Sequence, residues 1–144
     1  MTENTLVCVY LGWCSIYDLR TKQIPVWLLR LGMVIGGIYA AVSIVSHEMN
    51  WTDAMLGLIP GVIMLLYSLA TQGKLGEADG LMAMAVGLFH RWSKCTAELM
   101  LGCFLLFGAA AFLLITGKGK RNTCLPFAPF FLIAVVFVWI MEIF

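Results

Sequence analysis

Hydrophobic residues run through this chain in long blocks, separated by short clusters of polar and basic positions. A membrane-spanning helix needs about 20 mostly apolar residues, with a working range of about 17–25. Six blocks come near that length: Thr5 to Tyr17, Ile24 to Ser46, Trp51 to Thr71, Asp79 to Trp92, Cys95 to Thr116 and Pro126 to Phe144. The first and fourth are short, so four full spans with two partial ones is the alternative to six. The pattern predicts an all-α polytopic membrane protein of about six transmembrane helices, with residues 1–144 forming a single domain.

Composition sharpens that reading. Of the 144 residues, 62% are hydrophobic and 12% are charged, where a soluble domain runs near half and a quarter. A core of this size cannot enclose the excess, so lipid must cover part of it. The net charge is +1, and no basic tail or aromatic-basic patch points to nucleic acid as a partner. The five cysteines, Cys8, Cys14, Cys95, Cys103 and Cys124, form no C-x-x-C pair. They read as small packing residues rather than metal ligands or disulfides, and no cofactor or metal is expected. Glu3 precedes the first apolar run and no Lys or Arg does, unlike a secretory signal, so the first helix is expected to be retained.

Charge in the connecting segments orients the spans. Arg20 and Lys22 follow the first block, Lys74 the third, and Lys118, Lys120 and Arg121 the fifth; the opposite side has Arg91 and Lys94. Short basic loops mark the cytoplasmic face, which puts both termini outside. Trp51 and Trp92 then fall at the outer interface and Trp27 near the inner one, as an aromatic belt requires.

On the cytoplasmic side three acids stand out. Asp18 is expected to end the first helix, while Glu77 and Asp79 stand at the start of the fourth. Acids near the depth where lipid begins are costly and tend to mark function. Two facing carboxylates do not both ionise easily and share a proton. The ionised one takes a proton from water, and the protonated one polarises a peptide carbonyl. His47 and His90 map to the outer side, and the chain has no H-E-x-x-H or G-x-S-x-G motif.

These residues carry a resemblance. Asp18, then Ile24-Pro25 after a short basic loop, resembles the first aspartate motif of the type IV prepilin peptidases. Gly76-Glu77-Ala78-Asp79 resembles their second motif, G-x-G-D, with Gly87 in the helix that follows. Leu125-Pro126-Phe127-Ala128-Pro129-Phe130 resembles the family's P-F-G-P-F segment. The resemblance implies a membrane-embedded aspartic endopeptidase in the cytoplasmic membrane. Its active site would face the cytoplasm, with Asp18 and Asp79 as catalytic dyad. The partner it implies is a prepilin-like substrate, a short basic leader followed by a hydrophobic helix. Ala78 stands where the motif has its second glycine, Val26 where many relatives have Asn, and Leu81 and Met82 where many have Lys. The chain lacks the paired C-x-x-C extension of the longer bifunctional forms, so the expectation is proteolysis without methyl transfer.

Pro25, Gly76, Glu77, Ala78, Gly80 and Arg30 are the expected substrate-binding residues around the dyad. Each has a plainer reading. Asp18 pairs with Arg20 or Lys22 in water, and Asp79 caps its helix. Glu77 is a solvated loop residue, and Arg30 snorkels to the headgroups. Pro126 suits the first turn of the last helix, and Pro60 suggests a kink. The loop Thr71 to Asp79 is either a gate beside the site or a turn. Two other functions stay open: a small proton- or cation-coupled transporter using the two aspartates as a relay, and a non-catalytic pilus-assembly scaffold.

Overall fold

The structure, a computed structural model, describes residues 2–71, 76–116 and 125–144. Lys74, Gly73, Lys118, Lys120, Arg121 and Cys124 lie outside the described residues, so the loop charges and the gate-or-turn segment are covered only in part.

Among the described residues the chain is six helices and no strand: α1 (Thr2–Thr21), α2 (Val26–Val45), α3 (Trp51–Ala70), α4 (Glu77–Phe89), α5 (Trp92–Ile115) and α6 (Ala128–Ile143). Helices α2, α3 and α5 are each long and apolar enough to cross a membrane, and α6 is a shorter apolar helix. Helix α1 has 20 residues but carries Glu3, Asp18 and Arg20. The result is a polytopic all-helical membrane fold.

Two boundaries differ from the sequence expectation for physical reasons. Helix α1 runs on past Tyr17 to Thr21, so Asp18 lies inside its last turn rather than at its end. The stop comes at Lys22, which takes a left-handed φ of 53°. Its amide donates to the Asp18 carbonyl at 3.0 Å, an αL cap made without glycine. At the other boundary, α4 ends at Phe89 and Trp92 opens α5 instead of closing α4. With 13 residues, α4 is about 20 Å long at 1.5 Å per residue, short of a hydrocarbon core of about 30 Å.

Helix α4 is short because it is the inner element. From Gly80 to His90 only Leu81 and Met84 are not buried. Helices α2 and α3 pack along it, with α5 and α1 completing its surround. Glycine makes the α3 contact close. A Cβ on Gly57 or Gly87 would collide with the other's carbonyl, and one on Gly80 would sit 2.9 Å from the Leu65 amide nitrogen. Small residues are the usual means of bringing membrane helices this near. On α2, Gly36 faces the Ala85 carbonyl and Gly32 faces the Tyr10 ring, whereas Gly37 faces open space.

Around α4, the core joins Val7, Leu11 and Cys14 of α1 to Met82, Val86 and Phe89, and to Phe131 and Val135 of α6. The buried stripe of α1 includes Asn4, Val7, Leu11, Cys14 and Asp18, spacings of three and four that hold one helical face inward. Asp18 therefore points into the bundle because it continues the core stripe.

Polar residues collect at the end of the bundle away from Asp18. Lys94 Nζ donates to Asn4 Oδ1 and to Glu142 Oε2, each at 2.7 Å. Arg91 donates to the Glu48 carbonyl at 3.0 Å and Tyr39 to Glu3 at 3.3 Å. Beneath them His90 Nδ1 and Glu98 Oε2 lie 2.8 Å apart, both fully buried. Cys8, Cys14, Cys95 and Cys103 are free thiols.

Candidate active site

At the opposite end a cavity of about 590 Å³ opens among α1, α4, α5 and α6. Asp18 from α1 and Asp79 from α4 both line it, joined by Gly76, Glu77 and Ala78. The two carboxylates come from positions far apart in the chain and are near enough for the charge of Asp18 to be felt at Asp79. Asp18 is buried and Asp79 half-buried.

Asp18 is held by a bond that no local sequence pattern announces. Its Oδ2 accepts from the Ala128 amide at 3.0 Å. Ala128 is the first residue of α6, with Phe127 as N-cap and a proline in the first turn. The opening amides of a helix have no carbonyl partner in their own helix, and Pro129 has no N–H to offer. The Ala128 N–H thus stands free at the positive end of the α6 dipole, a favourable place for a carboxylate. Proline falls at position 129 of the first turn, not at 126 as the sequence suggested; Pro126 precedes the cap and lines the cavity with Leu125 and Phe127.

Asp79 is positioned by the start of α4. Gly76 is the N-cap, with φ −62° and ψ 123°, and its carbonyl accepts from the Asp79 amide at 3.0 Å. The aspartate thus sits in the first turn rather than at the cap. Any residue can adopt the Gly76 backbone angles, so the need for glycine is steric: a Cβ there would lie 3.0 Å from Asp79 Oδ2. Glycine leaves room for the carboxyl. Ala78 is already in regular helix and has no left-handed φ, so its backbone asks nothing of glycine.

The other sequence-flagged residues separate into two groups. Glu77 is exposed at the cavity rim and Ala78 half-buried in its wall. Gly80 is turned against Leu65 of α3 and is absent from the lining. Pro25 caps α2 and accepts from the Leu28 amide at 3.0 Å; its neighbour Ile24, not Pro25, meets the cavity. Arg30 is exposed and away from it. Lys22, Gln23, Leu106 and Ala110 complete the wall, and sequence reasoning did not single out the last three as part of it. Their apolar or neutral character carries no chemical signature, and Leu106 and Ala110 reach the site only through the tertiary packing of α5, which lies against α3, α4 and α6. No group of three or more His, Cys, Asp or Glu side chains gathers as a metal site among the described residues.

A family model describing the type IV leader peptidase family matches residues 5–141. The chain belongs to that family. This membrane protein is therefore a leader peptidase by descent, and the match takes in all six helices nearly end to end. No curated protein and no solved structure gives a significant match.

Proposed function

We propose that this leader peptidase is an aspartic endopeptidase in which Asp18 and Asp79 activate water directly. One observation carries the reading: two acids from separate helices line one cavity at one end of the bundle. Asp18, already accepting from the Ala128 amide, is the carboxylate that takes a proton from water. Asp79 begins protonated and donates to the scissile carbonyl, since like charges at one site do not both ionise easily. After attack the roles reverse, and the proton gained by Asp18 passes to the leaving amine. No covalent intermediate is required.

The substrate class is a prepilin-like protein, with a short basic leader ahead of an apolar helix. A cut at that junction lies at the edge of the bilayer, which suits acids near the helix ends rather than at their middles. Exposed Glu77 at the rim adds a negative charge facing a basic leader. The aspartate end faces the cytoplasm in this reading, on the side of Arg20 and Lys22.

The test is cleavage of a leader-bearing substrate by purified enzyme in lipid, read by mass spectrometry. Asp18→Asn and Asp79→Asn should each lower the rate by roughly 100- to 10,000-fold or to background while the protein stays folded. Cleavage at the wild-type rate by either variant rejects the dyad.

A further inference from the structure

One stretch of helix at the aspartate end of the bundle is little covered by its neighbours. The first half of α5 buries Cys95, Glu98, Leu99 and Gly102. From Cys103 to Ile115 it buries nothing. Phe104 is 71% exposed, Phe107 73% and Phe112 66%. Helices α1, α2 and α3 keep buried residues through most of their length; α6 also buries nothing after Val135, but that half lies at the far end of the bundle, where Glu142 meets Lys94. The end half of α5 stands at the edge as an uncovered wall of about 20 Å at 1.5 Å per residue.

That wall runs into the site. Leu106 and Ala110 line the aspartate cavity. Gly108 has no atom within 4 Å of where its side chain would be, and Ala109, Ala110 and Ala111 follow it. The cavity is thus bordered on its α5 side by Leu106 and Ala110, and the stretch from Gly108 to Ala111 carries nothing larger than a methyl group. A second apolar groove of about 330 Å³ lies between α1 and α2, lined by Trp13, Trp27 and Leu31 among others, but it shares no residue with the aspartate cavity.

We propose that the end half of α5, Cys103 to Ile115, is the docking track for the apolar helix of the substrate. This rests on the leader-peptidase reading and says where the retained part of the substrate lies. In such a substrate the scissile bond and the apolar helix are adjacent in the chain. The helix must therefore approach along a surface that is open to lipid and continuous with the two aspartates. The end half of α5 has both properties, since its apolar side chains are exposed and two of its residues line the aspartate cavity. The substrate helix lies antiparallel to α5, its start at Ala110 beside the dyad and its continuation toward Cys103 and Met100. Close approach at Gly108 to Ala111 is the packing that small residues permit between membrane helices.

The experiment uses full-length enzyme in lipid nanodiscs. A prepilin-type substrate carries a photoreactive phenylalanine analogue within about 12 residues after the scissile bond, the reach that 1.5 Å per residue allows along the wall. Trapped on Asp79→Asn enzyme, it should crosslink to peptides of α5 between Met100 and Ala111. Crosslinks centred on Trp13, Trp27 and Leu31 overturn the assignment in favour of the α1–α2 groove. Enzyme-to-enzyme crosslinking through Cys103 would give the wall to a second copy instead. In parallel, Gly108→Trp fills the track without an internal clash. It should raise KM for the helix-bearing substrate roughly tenfold with kcat unchanged, and leave cleavage of a soluble leader peptide without the helix as it was. An equal effect on both substrates, or none on either, overturns the proposal. Wild-type cleavage of the helix-bearing substrate separates the two failures. If it is present, only the track falls; if it is absent, the peptidase reading falls with it.

Discussion

Replacing Gly76 by alanine should move stability and activity in opposite directions. The backbone angles of Gly76, φ −62° and ψ 123°, are ordinary for an L-residue. Alanine enters without strain and reduces the freedom of the unfolded chain, which stabilises such sites by about 0.4–1 kcal/mol. The three atoms nearest the new methyl all belong to the Asp79 carboxyl, at 3.0 Å for Oδ2, 3.4 Å for Cγ and 3.7 Å for Oδ1. Carbon–oxygen contacts relax toward about 3.5 Å, so the carboxyl must give way by about half an ångström, and as the end of a side chain it can do so cheaply. The fold is spared and the dyad is displaced. Misplacement of a reacting group by about 1 Å can cost a hundredfold, so a shift of half that should lower kcat by roughly tenfold. The assay pairs thermal unfolding in detergent with single-turnover cleavage. A variant that unfolds earlier than wild type, or one that cleaves at the wild-type rate, refutes the steric account of this glycine.

Other outcomes follow from the same geometry. Ala78→Gly, which restores the glycine of the family motif, should lower stability by up to about 1 kcal/mol in this helical position and leave kcat unchanged; a marked gain in kcat would show that the alanine constrains the site. Glu98→Leu should destabilise by about 3–5 kcal/mol, because it strands His90 in a fully buried setting where no water screens it. The double variant His90→Leu, Glu98→Leu should recover much of that loss, measured by unfolding in mixed micelles; a double variant as unstable as the single would contradict this. The rate of cleavage should follow a bell in pH, since Asp18 must begin ionised and Asp79 protonated, and the two limbs belong to the pair rather than to either residue. A single sigmoid, with activity flat on one side, would count against shared proton transfer.

The helix count, the alternation of chain direction and the pairing of Asp18 with Asp79 were legible in the chain because each rests on local information. Apolar blocks of spanning length have few other solutions in lipid. Loop charge and the order of the spans place the two acids at one end, without knowledge of any contact. The starts of α4 and α6 were visible only to within a few residues: Asp79 reads as the cap where Gly76 holds it, and Pro126 as the first-turn proline where Pro129 stands.

What each motif does was decided by partners remote in sequence. The length of α1 past Tyr17 depends on an αL cap at Lys22, a conformation that lysine does not advertise. The role of the Ala128 amide depends on α6 beginning beside α1, across 110 residues of chain. Gly80 reads as a neighbour of Asp79 in the site, yet α3 approaches so closely that its missing Cβ serves packing. Arg30 and Pro25 are near Asp18 in sequence but do not line the cavity. The buried His90–Glu98 pair needed both ends of the α4–α5 corner to meet. A linear pattern determines which residues enter the membrane and at which end they stop, because hydrophobicity and backbone preference act residue by residue. Which side chains face each other is set by how helices rotate to fill space, and that is a property of the packed bundle alone.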